Sequence, residues 1–414
     1  METFSLIFLS ALAATIILRL WLSRRQIQHV AANRDAVPEA FTGKISLAEH
    51  QKAADYTTEK TRLSMLSTLW DSALVLLWTF AGGLALFDQF WSQFDLSPLW
   101  LGTGFLISLT LIMSIIDLPF ALYSTFNIEA RYGFNRTTFK LWLSDLMKGG
   151  LLMLVIGTPL LMTILWLMES SGAYWWVYTW LVWTSFSLLM MWAYPAFIAP
   201  IFNKFSPLDN EELKQRINNL LERCGFHSQG VYVMDGSKRS SHGNAYFTGF
   251  GQNKRIVFFD NLLESLKPEE IEAVLAHELG HFKKHHIRKG LIVSIISSLI
   301  GLAVLAWLKN QAWFYSGLGM EQVSLHAALI LFAITAPVFT FFLQPLFSQM
   351  SRKHEFEADE FASQQTDAKN LVTALVSLYR ENANTLTPDP IHSAFYDSHP
   401  PASVRIAHLT GNAT

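Results

Sequence analysis

The sequence is poor in charge and in cysteine. Only 15% of its 414 residues are charged and the formal net charge is −2, whereas an average soluble chain carries about 25% charged residues. A nearly neutral chain offers no basic surface, so we expect no nucleic-acid partner. Cys224 is the only cysteine, which excludes an intrachain disulfide bond and any zinc finger built from thiolates.

Apolar residues make up 51% of the chain, and they are concentrated in runs of about 20 residues. A run of this length with few charges is long enough to cross the hydrocarbon core as a helix. Seven such runs predict a mainly α-helical, polytopic membrane protein, although the last two are alternatively buried helices of a soluble core. The runs lie at residues 4–22, 66–87, 98–124, 149–168, 174–202, 291–308 and 323–350.

The loop charges predict the orientation of the chain in the bilayer. Seven Lys/Arg lie in residues 23–65 and four in residues 127–148, whereas residues 88–97 and 169–173 carry none. Because cytoplasmic loops are enriched in Lys and Arg, we expect the N-terminus outside and the C-terminus inside. The basic residues that follow the first run are in the wrong order for a cleaved signal peptide. The first run is therefore predicted to be an uncleaved membrane anchor.

A polar segment between the fifth and sixth runs predicts a small mixed domain. Residues 208–225 have the periodicity of an amphipathic helix, and three short runs rich in β-branched and aromatic residues predict strands at 230–233, 244–250 and 255–260. Residues 251–254 would join the last two strands as a hairpin. Pro268, followed by acidic residues, predicts the start of a further helix.

That helix contains His277-Glu278-Leu279-Gly280-His281. Residues four apart share one face of a helix, so the two imidazoles can bind a single Zn²⁺, with one ion per chain. Glu278, between them, is then the candidate general base. An ordinary solvated helix face with two histidines is the alternative interpretation.

A catalytic zinc site has three protein ligands and one open position. The best third ligand is Glu355, because Asp359 lies four residues further along the same predicted helix and can accept the free N–H of a ligating histidine. Glu357 points elsewhere and ranks lower, and His354 is a rival ligand. We expect His285 and His286 to be interfacial residues.

With these metal motifs, the chain resembles the integral-membrane zinc metalloproteases of the type I CAAX prenyl protease family. The motifs that carry the resemblance span nearly the whole sequence: Glu129–Asn135, Pro200–Leu208, Ser237–Phe247, Lys254–Asp260, His277–His281, Ser351–Ala362 and Ser398–Pro401. The resemblance implies seven helices around an intramembrane chamber, capped on the cytoplasmic side by a gluzincin-type metalloprotease domain.

The resemblance also implies an activity and two further site regions. The expected reaction is zinc-dependent endopeptidase cleavage near the C-terminus of membrane-associated peptides or proteins, including prenylated CAAX-type substrates. His399 is implied as a donor to the oxyanion. The edge strand that begins with Asn244, Ala245, Tyr246 and Phe247 is implied to hold the substrate backbone.

The expected domain plan follows from these features. Residues 1–202 contain the first five membrane helices, with a cytoplasmic loop at 23–65. Residues 203–290 form the metalloprotease core, 291–350 the last two membrane helices, and 351–414 the part with the third ligand. The lipid bilayer is an expected partner: the inner membrane in a bacterial host, the endoplasmic reticulum in a eukaryotic one.

Two other functions are compatible with parts of the sequence. A quality-control protease of the heat-shock type shares the metal motifs but has fewer spans and lacks the upstream matches. A transporter or inactive scaffold with a structural zinc is the alternative from another class, but a structural site uses four protein ligands, and only three are convincing here.

Overall fold

The computed structural model describes residues 2–226, 228–250 and 253–411. The chain is mainly helical, as predicted. Its N-terminal half consists of eight helices: α1 (Thr3–Ala32), α2 (Leu47–Trp78), α3 (Gly83–Trp91), α4 (Pro98–Tyr123), α5 (Phe139–Leu152), α6 (Thr158–Ser170), α7 (Trp175–Ala193) and α8 (Ala199–Phe202). Three π-helical turns continue or connect these helices. The turn Ser124–Glu129 extends α4, the turn Met153–Gly157 joins α5 to α6, and the turn Tyr194–Ile198 joins α7 to α8.

The C-terminal half combines helices with a small sheet. The strands are β1 (Phe205–Pro207), β2 (Ser228–Met234), β3 (Ala245–Phe250) and β4 (Asn253–Phe259). The helices are α9 (Glu211–Cys224), α10 (Asp260–Ser265), α11 (Pro268–Lys283), α12 (His286–Leu308), α13 (Ala312–Ser316), α14 (Leu325–Thr340), α15 (Gln344–Gln365), α16 (Ala368–Glu381), α17 (Pro390–Tyr396) and α18 (Ala402–Leu409).

The described residues include six helical stretches that are long and apolar enough to span a membrane. The number becomes seven when α2 and α3, which are bent by 54° relative to each other, count as one broken span. The predicted set of seven spans therefore holds. The segment 23–65, predicted to be cytoplasmic, is largely helical, because α1 and α2 continue through most of it and pack against each other; its side of the membrane stays a prediction. Only residues 33–46 connect them, and Ser46 caps α2 by accepting from Glu49 N.

In several spanning helices the buried residues are concentrated near one end. In α4 the buried residues lie between Gly102 and Leu109, and in α7 only Trp175 and Thr179 are buried. Between the first residue of α12 and Leu305, none of the described residues is buried. The total accessible surface is 21251 Å², against about 16,000 Å² for a compact monomer of this mass. The excess surface shows that the spanning helices leave much of their apolar surface unburied within the chain.

The sheet has the strand order β1-β2-β4-β3. β2 and β4 are parallel, whereas β1 and β3 are antiparallel to their neighbours. β3 and β4 form the predicted antiparallel pair, with Ala245 opposite Phe258; residues 251 and 252 of the predicted hairpin turn lie outside the described part. β3 is an edge strand, as the resemblance implied. The three-residue β1 has no counterpart among the predicted strands.

The membrane helices and the sheet meet through the segments that carry the upstream resemblance. Asn135, after α4, forms a β-bridge with Ser240. The Arg239 guanidinium donates to both oxygens of Asp145 on α5, at 2.8 and 3.1 Å. Glu129 Oε2 lies 3.4 Å from His242 Nε2. These contacts fix the start of β3 relative to the membrane helices.

Candidate active site

Two helices, α11 and α15, bring the predicted metal ligands together. Pro268 begins α11, where its missing N–H costs no hydrogen bond, and Glu270 accepts from Lys267 N at 2.9 Å. The helices approach closely at Gly280, where a Cβ would lie 2.9 Å from Ala358 Cα. This contact places the histidine face of α11 directly against the acidic face of α15.

The side chains of His277, His281 and Glu355 converge at this crossing. One potential ligand atom from each lies within 4.8 Å of the others. The two Nε2 atoms are 3.2 Å apart. His277 Nε2 is 3.4 Å from Glu355 Oε2, and His281 Nε2 is 3.3 Å from Glu355 Oε1.

The donor set fits a zinc ion. Two imidazoles and one carboxylate are a known ligand set for catalytic Zn²⁺. Glu355 is 3% exposed, and its Oε2 is buried without a hydrogen bond, although a buried carboxylate oxygen normally has a partner. A bound cation would supply the missing one.

The His277 side of the cluster is supported by a buried ion pair. Asp359 Oδ1 lies 2.8 Å from His277 Nδ1, as predicted from the spacing. Arg405 on α18 donates to Asp359 Oδ2 at 2.8 Å and to Oδ1 at 2.6 Å. Burial acts to lower the pKa of the His277 imidazole, but Asp359 and Glu355 outweigh it and raise that pKa above its usual value. The role of Arg405 cannot be read from the sequence, since no motif or periodicity connects α18 to α15.

The His281 side of the cluster corrects one prediction. His286 is 5% exposed and its Nδ1 lies 3.0 Å from His281 Nδ1, so its side chain contacts the cluster instead of solvent; its position relative to the membrane interface stays a prediction. Glu357 points to His286 instead of the cluster, with 2.9 Å between Glu357 Oε2 and His286 Nε2. His354, the rival ligand, stacks on the His286 ring at 4.0 Å between centroids.

A cavity of about 670 Å³ opens beside the cluster. Glu278, His399 and Asn244 all contribute to its lining, together with Ala245. The His399 side chain is 63% exposed, and its Nε2 lies 3.4 Å from Glu355 Oε1. The predicted base, oxyanion donor and start of the edge strand therefore face one space next to the metal-ligand cluster.

The other two residues expected along the edge strand lie outside this lining. The Tyr246 ring packs edge-on against Phe259, with centroids 6.3 Å apart. The Phe247 ring lies 5.2 Å from that of Phe282 on α11. Both side chains thus stabilise β3 against its neighbours, and a substrate would meet their backbone only.

The chain is similar to known proteins over almost its entire length. Residues 26–204 match the family described as CAAX prenyl protease N-terminal, five membrane helices, and residues 207–413 match peptidase family M48. CAAX prenyl protease 1 homolog of Arabidopsis thaliana is 34% identical over 94% of this chain and 94% of its own. CAAX prenyl protease 1 of Saccharomyces cerevisiae is 32% identical over 94% of this chain and 91% of its own. The crystal structure of S. mikatae Ste24p matches with a TM-score of 0.91 and 31% identity, covering 99% of both chains.

Proposed function

This chain belongs to the CAAX prenyl proteases of peptidase family M48 and is a multi-pass membrane metalloprotease, and we propose that it hydrolyses prenylated CAAX-type peptides. The proposed metal is zinc, held by His277, His281 and Glu355. The proposed cut follows the prenylated cysteine and releases the three C-terminal residues. The similar proteins are named CAAX prenyl proteases, and the match of residues 26–204 favours this function over a quality-control protease of the heat-shock type.

One observation supports a membrane-anchored substrate above all. The cavity beside the metal-ligand cluster is lined on one side by the protease domain and on the other by Tyr56, Thr57, Lys60 and Thr61 of α2. A peptide in this cavity would therefore lie between the cluster and α2, one of the spanning helices. A lipid attached to such a peptide can remain among the helices while the peptide bond reaches Glu278.

The residues of the site have separate tasks in the proposed hydrolysis. A zinc ion, when bound, polarises the scissile carbonyl and lowers the pKa of a water. Glu278 accepts the proton of the attacking water and delivers it to the leaving amine. His399 donates to the oxyanion that develops on the carbonyl oxygen. The backbone at Asn244 and Ala245, at the start of the edge strand, aligns the substrate chain.

We further propose the orientation that the loop charges predict. The connection 33–46 and the protease domain would face the cytoplasm, and the connection between α3 and α4 would face outside. The substrate would then enter from the cytoplasmic side of the membrane.

The test uses detergent-purified, zinc-loaded protein and two peptides of identical sequence that end in a CAAX motif, one prenylated at cysteine and one not. Mass spectrometry should detect release of the last three residues from the prenylated peptide at a much higher rate. Equal cleavage of both peptides would contradict prenyl specificity.

Glu278→Gln is the control variant, because it keeps size and polarity but cannot accept the proton. It should retain one equivalent of zinc while hydrolysis falls by at least about 10²-fold. Near-normal turnover by the zinc-loaded variant would show that Glu278 is not the base.

A further inference from the structure

The imidazoles of His277 and His281 both direct Nε2 toward Glu355, but their Nδ1 atoms have different partners. His277 Nδ1 meets the Asp359 carboxylate directly. His281 Nδ1 instead meets another imidazole, that of His286, at 3.0 Å. His286 in turn places its Nε2 2.9 Å from Glu357 Oε2.

With both imidazoles neutral, every ring nitrogen of His281 and His286 has a partner in this chain of contacts. When His281 Nε2 is a metal ligand, its Nδ1 carries the proton and donates to His286 Nδ1. The proton of His286 is then on Nε2 and donates to Glu357. Each donor has one acceptor, and the chain ends on a carboxylate, the group that most often fixes a ligating histidine.

A break in the backbone creates this arrangement. α11 ends at Lys283 and α12 begins at His286, with His285 between them at φ 60°, ψ 28°. A left-handed conformation is uncommon for a residue other than glycine. On an uninterrupted helix, side chains five residues apart point about 140° away from each other. The break lets the His286 ring lie directly against that of His281.

The surroundings hold the His286 ring in one orientation. Its side chain is only 4% exposed. The His354 ring stacks on it with an interplanar angle of 12°. The ring therefore presents its two nitrogens to His281 and Glu357 only.

We propose that His286 and Glu357 are positioning residues that fix the tautomer and orientation of His281 for metal binding. This inference rests on the proposed metal site. His281 is then linked to the carboxylate of Glu357 through the ring of His286, whereas His277 contacts the carboxylate of Asp359 directly.

The test measures zinc affinity of the full-length protein in detergent by competition with a chromophoric chelator. His286→Leu should weaken zinc binding by about 10–100-fold, the usual effect of losing such a partner. His286→Asn, whose Oδ1 can accept from His281 in place of Nδ1, should recover most of the loss. His408→Leu is the matched control: it replaces an exposed imidazole on α18 that contacts neither His281, His286 nor Glu357, and should leave zinc affinity unchanged.

A second readout separates positioning from folding. The visible absorption of the Co²⁺-loaded protein should change in His286→Leu and return toward the wild-type spectrum in His286→Asn, while the metal-free proteins unfold at similar temperatures. Wild-type zinc affinity in His286→Leu, or equal losses in His286→Leu and His408→Leu, would overturn the proposal.

Two further variants keep the test decisive. If His286→Leu does not fold, Glu357→Ala should still weaken zinc binding relative to Glu360→Ala on the same helix; equal affinities of these two would overturn the relay. A wild-type protein that binds no zinc, or that keeps it after His281→Ala, would contradict the metal site itself.

Discussion

Position around one helix decides what each acidic side chain of α15 does. Glu355 faces the two imidazoles, and Asp359, four residues later on the same face, supports His277. Glu357 is rotated by about 200° from Glu355 and contacts His286. Glu360 is exposed. Four carboxylates on one helix thus have three roles: Glu355 is a candidate ligand, Asp359 and Glu357 are positioning groups, and Glu360 is a solvated surface charge.

Alanine substitutions along α15 should therefore have graded effects on metal content. Glu355→Ala removes a proposed ligand and should lose zinc during purification. Glu357→Ala should retain zinc with reduced affinity, and Glu360→Ala should match the wild type. Metal analysis of the three purified proteins measures this order. Loss of zinc in Glu357→Ala but not in Glu355→Ala would mean that the wrong carboxylate is assigned to the metal.

At the scale of elements, the site depends on how closely α11 approaches α15. Gly280 lies between the two motif histidines, and a Cβ there would be 2.9 Å from Ala358 Cα and 3.1 Å from its carbonyl oxygen. Both atoms belong to the backbone, so they cannot rotate away. Any larger residue must separate the helices, and with them the imidazoles from Glu355.

Gly280→Ala should consequently destabilise the protein and weaken metal binding together. Overpacking of this kind costs about 1–3 kcal/mol. Gly290→Ala on α12 is the matched control, since a Cβ there meets nothing within 4 Å and alanine favours a helix. Thermal unfolding and zinc content of both variants provide the measurement. A Gly280→Ala protein with wild-type stability and zinc content would show that the close approach is not needed.

The sequence predicts those parts of the site that follow helical periodicity. The spacing of His277 and His281, and of Glu355 and Asp359, correctly placed each pair on one face. His286 escaped prediction because its position depends on the backbone break at His285. Arg405 escaped because its partner is 46 residues away. Hydropathy located the spans but not the helix ends, since polar turns continue α1 and α2 beyond the apolar stretches.

At the scale of the whole molecule, the cavity at the metal-ligand cluster lies where the protease domain meets α2. The apolar core of the spanning helices lies around Phe8, Phe105 and Phe314, whereas the protease domain has a separate core around Ile217, Phe258 and Leu279. Two smaller buried clusters join α2 and the α1–α2 connection to the C-terminal helices, and the cavity at the metal-ligand cluster adjoins α2. The proposed prenylated substrate would therefore place its peptide at the cluster and its lipid toward the spanning helices.

The proposed orientation makes a clear prediction for labelling with a membrane-impermeant thiol reagent. Cys224 is first replaced by serine, although it is buried and burial raises the pKa of its thiol. Thr42→Cys, in the connection between α1 and α2, should react only after the membrane is opened, whereas Gln93→Cys, between α3 and α4, should react in sealed cells. Both positions are exposed, and neither change alters a charge. The seven Lys/Arg of residues 23–65 are the reason to expect this result. Labelling of Thr42→Cys in sealed cells would show that the orientation is the reverse of the proposed one. The substrate would then have to reach Glu278 from the outer side.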